Sequence, residues 1–190
     1  MTQQAQDTAP TMEPFAIAPL TPADRDDVLA FAQDLSEHDI LFLARDVRVP
    51  KVMDAWLAAI ADGSIESLVA RRDGKVCAMA ALVRDPLGWS PHLADVRIVA
   101  GEEARGRGLG RRMLEEILAI GVGNGTEKFM ARMTPDQRGA IALFESIGFR
   151  GEAMLRDHVR DAQGDLHDLV IMSLHLAEYE RLRDAYGTKE

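Results

Sequence analysis

Cysteine is nearly absent from this chain: its 190 residues include one, Cys77, in the apolar stretch "KVCAMAALV". A lone thiol excludes a disulfide scaffold and a cysteine-based zinc site, and it points to a reducing, cytoplasmic setting. Long hydrophobic runs are missing too. No stretch approaches the roughly 20 apolar residues of a membrane span, and the first 14 residues lack the basic start and apolar run of a signal sequence. Residues 1–13 read as a flexible tail. Positive charge is in short supply, with 22 Lys and Arg against 31 Asp and Glu for a net charge of −9. General nucleic-acid binding, which needs positive surface to displace counterions, is therefore not expected. The acidic balance suits steering of a cationic amine and, more commonly, simple solubility. Repeats and low-complexity segments are absent, and the length suffices for one sizeable core but not for two typical domains.

What the chain does have is a glycine-rich turn, Arg105-Gly106-Arg107-Gly108-Leu109-Gly110-Arg111. Upstream, "LADVRIVA" (93–100) has the β-branched density of a buried strand. Downstream, Met113, Leu114, Ile117 and Leu118 recur at the helical interval. Three glycines in five residues let the backbone bend tightly and approach a ligand, so that successive amides and the positive end of the helix face one anion. The order Gly110-Arg111-Arg112 rules out a Walker loop, and the glycine spacing differs from the dinucleotide fingerprint.

A second marked stretch, "TPDQRGAIALFESIGF" (134–149), carries Ala140, Leu143, Phe144 and Ile147 on one helical face. Thr134 is a candidate N-cap, Pro135 suits the first turn, and Gln137 stands where a capping box puts its glutamine. Gly148 is placed for a left-handed stop.

Together, R-x-x-G-x-G at Arg105 to Gly110 and A-x-x-L-F-x-x-x-G-F at Ala140 to Phe149 resemble the GCN5-related N-acetyltransferases, the GNAT family. The resemblance implies an α/β (α+β) fold with a mixed, largely antiparallel sheet of six to seven strands flanked by helices. It also implies acetyl-CoA as the acyl donor, with its pantetheine arm along Ile98, Val99 and Ala100. The pyrophosphate then falls on the amides of Arg105, Gly106, Arg107, Gly108, Leu109, Gly110 and Arg111. Gln137 stands where many members have an asparagine that contacts the cofactor. Phe144 stands where many have a tyrosine that protonates the leaving thiolate, which phenylalanine cannot do. The implied activity is acetyl transfer to a primary amine of a small molecule or protein by direct attack in a ternary complex. The missing tyrosine keeps open an alternative, a non-catalytic acyl-CoA sensor.

The other elements follow from pattern. A strand at 15–20 leads to a helix opened by Thr21-Pro22 with Val28, Phe31, Ala32 and Leu35 on one face, and a second helix carries Met53, Trp56, Leu57 and Ile60 up to Gly63. Asp73-Gly74 joins two strands in a hairpin. Residues 128–133 form a strand parallel to 93–100 through a crossover helix, and 150–159 pairs with 166–174. The expected domain is 14–176, followed by a closing helix or tail at 177–190 with Tyr179, Leu182 and Tyr186. In the 86–91 loop, Trp89 is expected to pin the loop to the core rather than to stand exposed. Homodimers are plausible through edge strands or the last hairpin.

The implied reaction needs a proton acceptor for the amine. Asp95, on the central strand, is the candidate catalytic residue by position in the resemblance, and its alternative role is ion pairing with Arg97. Glu102 and Glu103 read as surface residues. His158 and His167 lie on the last hairpin beside Asp157 and Asp168, but adjacent strand residues face opposite ways, and no metal site is expected. A bulky residue in place of Gly108 is expected to abolish acetyl-CoA binding with the fold intact; calorimetry showing full affinity in Gly108→Trp would refute the assignment of this loop.

Overall fold

A computed structural model describes residues 15–43 and 45–177. The terminal tails and Tyr179, Leu182 and Tyr186 of the expected closing helix lie outside the described residues. The strands are β1 (Ala16–Pro19), β2 (Ile65–Arg72), β3 (Lys75–Arg84), β4 (Leu93–Ala100), β5 (Lys128–Met133), β6 (Arg150–Arg160) and β7 (Leu166–His175). The helices are α1 (Arg25–Gln33), α2 (Glu37–Ile40), α3 (Pro50–Ala61), α4 (Leu109–Gly123) and α5 (Arg138–Ile147). One seven-stranded sheet runs in the order β1-β2-β3-β4-β5-β7-β6, and β4–β5 is its parallel pair in an otherwise antiparallel sheet.

Strand alternation divides the core. On β3, Ala78, Ala80 and Leu82 face a cluster with Met113, Leu114 and Ile117 of α4 and Phe144 and Ile147 of α5. Met79 and Ala81 face the other side, where Val28 and Phe31 of α1 and Met53 and Trp56 of α3 pack. The period of two along the strand thus builds both layers from one segment. Trp56 satisfies its indole by donating to Ser67 Oγ at 2.9 Å.

Local signals act as read. Asp73 and Gly74 both have positive φ, 51° and 76°, the conformation whose twist matches the flanking strands. Gly148 ends α5 at φ 116°. Cys77 is buried, and burial pushes its thiol above the ordinary range, so it is a small core residue rather than a nucleophile. Among the described residues no helix is long and apolar enough to cross a membrane. Between α1 and α3 lie α2 and a 3₁₀ turn at Leu41–Leu43. Ser36 nucleates α2 by accepting a hydrogen bond from the Asp39 amide.

Residue Gly121 of α4 rests on the sheet so closely that a Cβ there would stand 2.5 Å from Phe129 Cε1 and 3.0 Å from Leu82 Cδ2. Both neighbours are fully buried. Gly121→Ala is expected to destabilise the fold by about 1–3 kcal/mol through overpacking, more than the roughly 1 kcal/mol that alanine gains in a helix. Thermal unfolding reads the result, and a midpoint at or above that of the parent would show that the contact yields freely.

Candidate active site

The site begins where two strands part. β4 stays paired with β3 from Ala94 to Ala100, the last opposite Ala78, but it pairs with β5 only over Leu93, Ala94 and Asp95. From Met130 onward β5 keeps β7 as its partner and leaves β4 behind. A cavity of about 610 Å³ fills the fork, with Val96 to Ala100 on one wall, Ala131 to Met133 on the other, and the glycine turn at its open end. The backbone of Val96–Ala100 on that side has no strand to pair with, which is an edge an extended ligand can occupy.

At the open end the glycines do separate jobs. Gly106 and Gly108 have φ of 68° and 76°, and a Cβ on either would meet nothing within 4 Å, so the space in front of them is clear for a ligand. Gly110 is in the first turn of α4, where its missing side chain admits Leu143 of α5: a Cβ would lie 3.2 Å from Leu143 Cδ2. The amide of Arg112 donates to the Gly108 carbonyl at 3.2 Å. The amides of Leu109, Gly110 and Arg111 precede it and have no intrahelical acceptor. That is a cradle of donors at a helix N-terminus, with open room in front of it, and it fits a phosphate. Leu109's own side chain is buried in the core. Arg111 ion-pairs with Glu115 at 2.8 Å.

Three consecutive side chains of α2 clasp the cleft. Glu37 accepts from Gln163 Nε2 at 2.8 Å and from the Ala162 amide in the β6–β7 turn. His38 Nε2 lies 3.3 Å from Asp136 Oδ2 in the β5–α5 loop. Asp39 pairs with Arg105 of the glycine turn at 2.6 Å. Arg105 also donates to the Ala100 carbonyl at 3.1 Å. His38, Asp39 and Asp136 all line the cavity, and sequence reading missed them. The signal that did exist was local: Ser36-x-x-Asp39 is a capping pattern that marks a short helix but does not report what the helix touches.

Asp95, Arg97 and Arg132 share the opposite face of the fork from α4 and α5. Asp95 Oδ2 lies 3.4 Å from Arg97 Nη2, and its Oδ1 lies 3.5 Å from Arg132 Nε. Arg97 also donates to the Leu43 carbonyl at 2.8 Å. Asp95 thus sits at the last paired position of the fork, held between two guanidinium groups, and not among the lining residues of the cleft. A second cavity, of about 430 Å³, opens on this face between α2, the 45–48 segment and the last hairpin, and Arg132 lines both cavities.

The structure brings Ile98, Val99, Ala100, Arg105, Gly106, Gly108, Gly110, Arg111, Gln137 and Phe144 to one cleft. It revises two readings. Gln137 is the N-cap of α5 rather than its third residue and makes no capping bond; the Thr134 hydroxyl is instead taken by Asp136, so the helix starts later and the Gln137 side chain is left to the cleft. Trp89 is fully exposed, because Asp85 holds the loop through the Leu87 and Gly88 amides without the indole. Neither cavity includes residues 85–92. His167 pairs with Asp161 at 2.7 Å rather than with its neighbour, and that carboxylate raises its pKa. His158 lines the second cavity. Phe144 is buried, edge-on to Phe149 at 4.9 Å.

Comparison with known proteins agrees with this geometry. Residues 31–149 match the model of the acetyltransferase (GNAT) family. The N-alpha-acetyltransferase RimI of Mycobacterium tuberculosis is 30% identical over 160 residues, covering 83% of this chain and 92% of that protein. The L-2,4-diaminobutyric acid acetyltransferase of Methylotuvimicrobium alcaliphilum is 35% identical over 69 residues, or 34% of this chain, and the chain spans only 40% of that relative's length. A phosphinothricin acetyltransferase from Sinorhizobium meliloti, solved in complex with acetyl-CoA, superposes with a TM-score of 0.72 at 18% identity over 85% of this chain and 88% of that one. With the family model spanning more than half of its length, the chain belongs to the GNAT family of acetyltransferases.

Proposed function

We propose that the protein transfers the acetyl group of acetyl-CoA to a primary amine by direct attack in a ternary complex. The observation that carries the reading is the fork between β4 and β5, which opens beside a turn of unsatisfied amides. The Val96–Ala100 edge offers hydrogen bonds to the amide-bearing pantetheine arm. The turn from Arg105 to Arg111 suits the pyrophosphate. The relatives named above are acetyltransferases of amines, which agrees.

In the transfer, a carbon–nitrogen bond forms and the carbon–sulfur bond of the thioester breaks; the amine loses one proton and the sulfur leaves as thiolate or, once protonated, thiol. The chain's part is to hold both reactants at the fork, and a neutral amine must reach it. Asp95 or a water beside it is the proposed proton acceptor; its two guanidinium partners orient it at the base of the fork. His38, with Asp136 fixing its Nε2, is a second group on the cleft wall able to take the proton. Phe144 supplies no proton to sulfur, so the thiolate leaves unprotonated or takes its proton from another group or from solvent.

Calorimetric titration with acetyl-CoA, followed by thiol release against an amine panel, tests the reading. Micromolar binding with amine-dependent release is expected; binding without release from any amine or peptide would favour the acyl-CoA sensor instead. Phe144→Tyr is expected to raise kcat if protonation of sulfur limits turnover, and an unchanged kcat would place the limit elsewhere. Asp39→Asn frees Arg105 from its exposed ion pair. Such a pair is worth about 0.2–1 kcal/mol, so acetyl-CoA affinity is expected to rise by up to about fivefold. Weaker binding would show that Asp39 shapes the site rather than competing with phosphate.

A further inference from the structure

The second cavity has the wrong sign for this protein. The chain carries a net charge of −9, yet among the described residues the cavity is lined by Arg45, Arg48, Arg132 and Arg160 against Glu37 and Asp46. Two of these charges cancel locally, since Arg48 grips both oxygens of Asp46 at 2.9 and 2.8 Å. Glu37 is turned to the hairpin, where it binds the Ala162 amide and Gln163. On the wall of the first cavity stands Arg97, with only 14% of its side chain exposed. Burial lowers its pKa, Asp95 opposes that, and the charges of Arg132 and Arg45 push it further down. Arg132 and Arg45, which line the same cavity, thus both lie within electrostatic reach of Arg97, and Asp95 is the carboxylate between Arg97 and Arg132.

Such crowding of cations is unfavourable unless an anion joins it. Asp95 does not complete the set, because its Oδ1 accepts no hydrogen bond and stands 3.5 Å from Arg132. Arg132 also marks the place where the two cavities meet. An anion on Arg132 and Arg45 would therefore lie on the side of the second cavity that adjoins the fork. Guanidinium groups recognise carboxylates in paired, planar fashion, and a cavity of about 430 Å³ is within the range of small-molecule sites.

We infer that the acceptor is a small amino acid, whose carboxylate is held by Arg132 and Arg45 while its amine faces the cofactor cleft. This rests on the acetyl-transfer reading above and names the substrate class of the same site. It also reverses the sign that overall charge suggests, since a polyamine would meet like charge in this cavity.

The test is thiol release with acetyl-CoA and matched acceptors: each of the common amino acids, its α-amide, its decarboxylated amine, and spermidine. At least one amino acid is expected to exceed its amide and its decarboxylated amine by tenfold or more in kcat/KM. Arg132→Gln is expected to collapse that ratio toward one, mainly through KM, with partial recovery in Arg132→Lys. If Arg132→Gln does not fold, judged by its thermal midpoint, Arg45→Gln, at an exposed position, carries the same expectation. Equal or better use of amides or spermidine would overturn the carboxylate site and leave acetyl transfer standing. Acetyl-CoA binding with no amino acid consumed would overturn it as well. Failure to bind acetyl-CoA at all would remove the functional reading beneath it.

Discussion

Three backbone pairs between β4 and β5, and no more, are the constraint on which the rest depends. Parallel strands joined by a crossover helix ordinarily run side by side, and the length of both strands would allow it here. Instead each keeps its outer partner to the end, β4 with β3 and β5 with β7, so the sheet opens without losing either half. The fork leaves an unpaired edge inside the molecule, where water or a ligand must meet its hydrogen-bonding groups. An extended chain that carries amides is the complement of such an edge. The glycine turn follows β4 directly, so the edge and the donor cradle are bound to lie at adjacent ends of one slot.

The clasp by α2 closes one side of this frame. Each of its three contacts is to a different element, the β6–β7 turn, the β5–α5 loop and the glycine turn. Each involves solvent-exposed groups, and exposed pairs contribute little individually. A four-residue helix also has little intrinsic stability. The three wall contacts are thus individually weak, while buried Ile40 and Leu43 anchor the segment in the core. Arg105 is the point of exchange, because its guanidinium faces both Asp39 and the mouth of the slot.

Most of the architecture was legible because local chemistry and global pattern agree. Asp73-Gly74 adopts the hairpin turn its residues favour, Gly148 takes the left-handed stop, and the apolar spacing of α4 and α5 matches their buried faces. What could not be read lies in contacts between distant segments. The start of α5 depends on which group takes the Thr134 hydroxyl, and Asp136 is as close in sequence as any capping partner. The exposure of Trp89 depends on Asp85 holding the loop by itself. The clasp needs His38 and Asp136, about a hundred positions apart, and no periodicity reports on that. Even the three glycines, alike in sequence, divide into two that clear space for a ligand and one that admits Leu143.

Charge at the site illustrates the same limit more sharply. Strand alternation alone places Asp95 and Arg97 on one face, and their pairing was among the readings available from sequence. Arg132 joins them only through the parallel register that sets Asp95 opposite Met130 and carries Arg132 just past the last pair. Arg45 arrives from another layer, through the 3₁₀ turn whose Leu43 carbonyl binds Arg97. The chain's acidic total describes its surface, where carboxylates are scattered. The cavity's sign is set by segments far apart in sequence that the fold brings together, and on the proposed reading it is that local sign, not the chain's total, which an entering acceptor meets.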